Sequence, residues 1–265
     1  MNDDLLLELQ KKHGCKVKAI LTPSQYWVII REQNGDDDDI LSNSTDVKNA
    51  TALNNFLSGI IVHHELLNKQ PSPSQVVSMK LKDKYYCLMA SRIFSIGSDL
   101  KFEFDWEDGQ PPVAYVDDLE QYLWDYSKPY PEPEDPNYFK YRVTPYTNGQ
   151  ETARELELSS GKRIKYEYLT GLGEKYLLEL PKDKRTINAN LKARALKVFI
   201  PESGDFVRVD NFKMFNPKDM VEIRKDVDMH DIQFDGLTEV ENPRTGEIRI
   251  LSLISLTDFF YPVEI

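Results

Sequence analysis

The sequence predicts an α+β chain of two small domains, each with helices packed on antiparallel hairpins. The first observation is a helix, stop and strand legible between Met79 and Gly109. Leu81, Tyr85, Leu88, Met89, Ile93 and Ile96 recur at three- and four-residue steps, Gly97 supplies a stop, and Leu100, Phe102 and Phe104 then alternate with charged neighbours. The second is a weaker copy of this order from Asn216 to Leu253, aligned by Lys82-Asp83 and Lys218-Asp219. The third is the segment Ser127 to Asn137, SKPYPEPEDPN, whose four prolines and lack of apolar period describe a semi-rigid linker. Domains are expected over 1–126 and 138–265, with 127–137 between them and the second resembling the first.

Length and composition agree with this division. At 265 residues the chain exceeds the usual size of one domain, and 40% hydrophobic residues, with 14 Tyr and 12 Phe, suffice for real cores. No run of eighteen apolar residues is present, and the opening Met-Asn-Asp-Asp lacks the basic region of a signal peptide, so no membrane partner and a cytoplasmic location are expected. Cys15 and Cys87 are far apart and lack CxxC spacing, which argues against a disulfide and excludes a four-cysteine zinc site. The net charge of -11 repels a phosphate backbone, and acids outnumber bases in both halves.

Taken in order, Asp3 to Lys12 has helical spacing, Lys16 to Leu21 alternates as a strand, and Thr22-Pro23 places a cap and an N1 proline before a predicted helix over Ser24–Gln33. Asp36 to Asp39 lacks the alternating ligands, glycine hinge and distal glutamate of a calcium loop, and is expected to be a solvated loop. Thr45 or Asp46 caps a helix predicted to run through Phe56 and Ile60 to His63-His64-Glu65. Adjacent histidines cannot face one zinc ion, so a helix C-terminus favouring imidazolium accounts for them better. Gln70 to Ser74 is predicted as a loop, Val113 to Val116 as a return strand, and Leu119 to Trp124 as a helix capped by Asp117.

In the second half, Glu155 to Leu158 and Arg163 to Tyr168 flank Ser160-Gly161 as a hairpin, and a helix follows Thr170 and stops at Pro181. A second helix is predicted over Ile187–Val198. Its neighbourhood holds Lys182, Lys184, Arg185, Lys192, Arg194 and Lys197, which suit a solvated helix face better than a nucleic-acid site. Phe206 to Val209 is a strand, Asn216-Pro217 opens a helix, and Leu237 to Leu253 forms a hairpin around Asn242-Pro243-Arg244-Thr245-Gly246. Tyr26 to Glu32 has a loose counterpart in Tyr176 to Leu180, which extends the suggestion of a degenerate tandem duplication.

No catalytic motif stands out. Asp105, Glu107 and Asp108 in a turn are the candidate ligands of an alternative reading, an acidic metal-dependent hydrolase or nuclease, but no DxD, HExxH, GxSxG or P-loop pattern supports them. Leu158 to Lys162, Asp83 through Arg92 to Gly97, Asn242 to Gly246 and the closing Asp258-Phe259-Phe260-Tyr261-Pro262 carry a resemblance instead. On these residues each unit resembles the small tail and baseplate hub assembly proteins of contractile-tailed, T-even-like bacteriophages. That family often carries a Cys-Pro-x-Cys-Gly knuckle in its hairpin turn; both cysteines are absent here, so no metal carries over. The resemblance implies a non-enzymatic tail or baseplate component, or an assembly chaperone, that needs no cofactor. Its partners would be other tail or baseplate proteins in the host cytoplasm or virion tail, with a homo-oligomer also compatible. The expected partner-binding residues are the aromatic tail Phe259, Phe260 and Tyr261, with Trp106 and Trp124.

Overall fold

The computed structural model describes residues 3–43, 51–129, 151–231, 236–253 and 259–260. Among these it is α+β, with eight α-helices and four antiparallel sheets. Helix α1 (Asp3–His13) leads into the hairpin β1 (Val17–Leu21) and β2 (Trp27–Arg31). After α2 (Gly35–Ser42) and α3 (Ala52–Ile60), β3 (Ile61–His64) completes the sheet in the order β1-β2-β3. A short α4 (Pro73–Val77) and the long α5 (Leu81–Ile96) precede the hairpin β4 (Asp99–Phe104) and β5 (Val113–Asp118).

The second half is a meander, β6 (Ala153–Glu157), β7 (Arg163–Glu167), β8 (Lys197–Ile200) and β9 (Asp205–Arg208). Helices α6 (Gly171–Glu179) and α7 (Ile187–Ala193) are inserted between β7 and β8. Helix α8 (Pro217–His230) follows, then the hairpin β10 (Leu237–Glu241) and β11 (Ile248–Ser252).

Several local expectations are corrected. Residues 24–33 hold β2 rather than a helix. Val28 and Ile30 face the main core while Ile29 faces α1 with Leu9 and Val62, so both sides of the strand are buried and its apolar run shows no alternation. Thr22-Pro23-Ser24-Gln25 is the connecting turn, with Gln25 at φ +60. The helix expected to reach Glu65 ends at Ile60 because the β-branched Ile61-Val62 pairs with β2. His63 and His64 therefore sit on a strand; burial lowers the His64 pKa and keeps the ring neutral, the reverse of a helix-end imidazolium.

The aspartate run is not a loop but the first turn of α2, where carboxylates favour the helix dipole and Asn34 and Asp37 form a reciprocal capping box. Asp37 is buried and takes a two-pronged contact from Arg31 at 2.6 and 2.8 Å. Residues 73–77 are helical because Ser72 caps them with Pro73 at N1. Asp117 lies in β5, and only a 3-10 turn, Leu119–Tyr122, follows it, capped by Asp118. The helix expected through Val198 ends at Ala193, and Lys197–Ile200 pairs with β7 and β9.

Burial groups the chain differently from the expected halves. One core gathers β2, α3, α5 and β4 and also takes Val240, Leu253 and Phe259 from the C-terminal part. The other lies between the four-stranded meander and α8. The C-terminal hairpin thus belongs with the first core: Tyr115 donates to the Glu241 carbonyl at 2.9 Å, and Arg244 reaches the Pro111 carbonyl at 3.1 Å. Of the expected linker, residues 130–137 lie outside the described part. Helix and hairpin recur in the same order in both units, whereas Tyr26–Glu32 is mainly strand and Tyr176–Leu180 mainly helix, so that counterpart fails.

Helix α5 packs in the first core and also bonds to the second half of the chain. Its periodicity predicts one buried face, yet Lys82, Asp83, Lys84, Ser91 and Arg92 are buried as well. The Leu81 amide donates to the Leu169 carbonyl at 2.7 Å, Lys84 pairs with Glu174 at 2.8 Å, and the Tyr85 hydroxyl meets the same carboxylate. Burial pushes the Lys82 pKa down to about 8. At the other end, buried Arg92 donates to the carbonyls of Phe259, Gly97 and Asp99 at 2.6, 2.7 and 3.3 Å.

Candidate interaction site

A cleft of about 610 Å³ opens between the β1–β2 hairpin, α5 and the segment after β5. The hairpin contributes Lys18, Ile20 and Trp27. Helix α5 contributes Tyr86, Ala90 and Ile93, at steps of four and three residues and so on one face. Leu123, Trp124 and Asp125 come from the segment beyond the 3-10 turn. Trp27 and Trp124 are both half-buried, leaving ring surface open to the cleft.

Local bonds fix the segment that carries Trp124. Leu119 donates its amide to the Ser98 carbonyl at 2.9 Å, Asp117 accepts from the Tyr122 hydroxyl at 2.8 Å and from Gln121, and Asp118 accepts from the Glu120 amide at 3.0 Å. Asp125 accepts from the Ser127 amide and hydroxyl, and those donors hold its pKa below the ordinary carboxylate value. Tyr86 donates its hydroxyl to the Trp124 carbonyl at 3.0 Å, and its ring meets Tyr126 edge-on at 5.2 Å. Burial raises the Tyr86 pKa, so the hydroxyl remains a donor. The mouth carries both signs, Lys18 and Lys128 beside Glu120 and Asp125. Such a site suits an apolar or aromatic side chain framed by polar groups.

Of the described residues expected to bind partners, Trp124 alone lines this cleft. Trp106 is core: it is 4% exposed, its indole donates to the Tyr115 hydroxyl at 2.9 Å, and the Arg249 guanidinium covers its ring at 5.3 Å. Phe259 is fully buried, and Phe260 is half-buried with its ring edge-on to Phe56 at 6.0 Å. The expectation that these two phenylalanines form a free docking tail is therefore corrected, because the first core has space for them against α3 and α5. Tyr261 lies outside the described residues.

Asp105 and Asp108 accept the amides of Glu107 and Gln110 within their own turn, and Asp108 also pairs with Arg244 at 3.3 Å. Among the described residues, no three His, Cys, Asp or Glu come together in a group able to hold a metal ion. Where the knuckle would lie, Asn242 organises the hairpin turn, accepting the Arg244 amide at 2.9 Å. Sequence reasoning missed Trp27, Tyr86 and Ile93 as cleft residues; the mixture of Trp with β-branched neighbours at 27–30 was the available sign that Trp27 stood on a strand. No protein-family model matches the chain, and neither a curated protein nor a solved structure is similar to it.

Proposed function

We propose that this protein is a non-enzymatic tail or baseplate component, or an assembly factor, of a contractile-tailed bacteriophage, and that it works by binding other tail proteins. The tail setting rests on the resemblance of residues 83–97, 158–162 and 242–246, and the mode of action rests on one observation, the cleft between Trp27 and Trp124. Tryptophan in a preformed cleft with a polar rim is the composition that concentrates binding energy between proteins. No helix among the described residues is long and apolar enough to cross a membrane.

The tagged full chain should enrich other tail or baseplate proteins when purified from infected host cells. Truncating Trp27 or Trp124 to alanine should cost about 2 kcal/mol of partner affinity, about thirtyfold, while the melting temperature separates that loss from unfolding. Enrichment of no tail protein would overturn the tail setting; full binding by both folded variants would overturn the cleft as its site.

A further inference from the structure

A second surface lies on the opposite part of the chain's charge balance. The start of helix α6 is tightly packed: Gly171 and Gly173 are buried, and a Cβ would stand 2.7 Å from the Val77 carbonyl oxygen at the first and 2.9 Å from that of Ala193 at the second. Beyond that anchor, Leu172, Tyr176 and Leu178 are 57%, 39% and 49% exposed, and Ile187 at the start of α7 is 51% exposed. Of these, Tyr176 lines a groove of about 710 Å³, with Leu180 and Phe212 as the rest of its larger apolar surface. Lys184, Lys192 and Lys213 line it with one lining acid, Asp210, while Asp183 stands 3.8 Å from Lys184, on a chain whose net charge is -11. Arg185 does not join them, because its guanidinium closes the end of α6 on the carbonyls of Leu178 and Leu180 at 2.9 and 3.0 Å.

From this segregation we infer that the α6–α7 groove binds an acidic amphipathic segment of a partner protein, its apolar residues against Tyr176, Leu180 and Phe212 and its carboxylates against the three lysines. Charge complementarity selects the partner: on a chain of net charge -11 this groove places three lysines beside open apolar surface. A nucleic acid fits less well. Its phosphates would meet three lysines within a strongly negative field, and its backbone offers no apolar complement to Leu180. The surface is separate from the tryptophan cleft, so the inference stands or falls independently of the tail reading.

The probe is a labelled amphipathic peptide of about 16 residues, leucines on one face and glutamates flanking them, titrated into the full chain by fluorescence anisotropy. Binding should weaken with added salt and fall by about tenfold or more in the variant K184E/K192E/K213E, with its melting temperature measured alongside to separate that loss from unfolding. Tyr176→Ala should weaken it without changing the salt dependence. The inference is overturned if the peptide does not bind, or if a peptide with lysines in place of the glutamates binds equally. It is also overturned if single-stranded DNA binds more tightly and loses that binding in the triple variant, or if sedimentation shows self-association that this variant abolishes.

Discussion

Helices α5 and α8 carry an aspartate at the same third helical position, each is followed by a two-stranded hairpin, and both carboxylates are buried. Their uses differ. Asp219 serves its own helix: it accepts the Asn216 amide at 3.1 Å while Asn216 accepts the Asp219 amide at 2.9 Å, and Lys162 approaches at 2.8 Å. Asp83 turns away from its helix and accepts the Ser24 amide and the Tyr26 hydroxyl, both at 3.0 Å, holding the β1–β2 turn. The start of α5 lacks a side-chain cap and relies on the Leu169 carbonyl from the other unit. One residue type at one helical position thus makes a local cap in one unit and a long-range clasp in the other, and the surroundings alone decide which.

Breaking the clasp should have the largest effect. Asp83→Ala strands a buried amide and a buried tyrosine hydroxyl, so about 3 kcal/mol of stability should be lost in denaturant unfolding. A loss below that of Asp219→Ala would reverse the comparison. Next comes the anchor between units: Gly171→Ala drives a methyl into the Val77 carbonyl, and overpacking of about 2 kcal/mol should outweigh the smaller helix-propensity gain. Asp219→Ala removes a capping box whose other half survives, and about 1 kcal/mol is expected from thermal melting. Lys162→Met removes a partly exposed partner of Asp219 and should cost about 0.5 kcal/mol, shrinking further in salt.

The two aspartates should also be separable by the sign of their pH dependence. Burial raises the Asp83 pKa against the opposing donors of Ser24 and Tyr26. Between the ordinary carboxylate value and that raised value the folded state holds the extra proton, so this group makes stability fall as pH rises. For Asp219, burial pushes upward but is outweighed by Lys162, Ser160 and Asn216, which bring its pKa below the ordinary value. Its contribution is complete above the unfolded pKa and is lost as pH falls through the folded one. Stability measured from pH 3 to 7 should therefore lose its acid-side decline in part in Asp219→Asn and steepen in Asp83→Asn, with unchanged slopes in both counting against these assignments.

Legibility in the sequence followed the range of the interactions. Leu100, Phe102 and Phe104 alternate with charged residues because one face of β4 is wet, so the strand could be read directly. Val28, Ile29 and Ile30 could not, since burial on both sides erases the alternation that marks a strand. Of the candidate site, Trp124 was identified from its residue type, but Trp27 and Tyr86 join it from 97 and 38 positions away in sequence. The aromatic tail failed as a site for the converse reason: the room that receives Phe259 is made by α3 and α5, and local spacing carries no record of it.

By itself the sequence determined the α+β class, the helix at 81–96 with its glycine stop, the hairpins at 99–118, 153–167 and 237–252, and the Asn216-Pro217 start of α8. Each of these is set by contacts within a few residues: hydrogen-bond periods, caps and turns. Only the tertiary structure decided that the last hairpin packs on the first core, that α5 is buried nearly all round with Lys82, Asp83 and Arg92 inside, and that two tryptophans share one cleft. Those outcomes depend on which surfaces meet after the chain closes on itself, and burial of that kind is a property of the partner surfaces, which no single stretch of sequence contains.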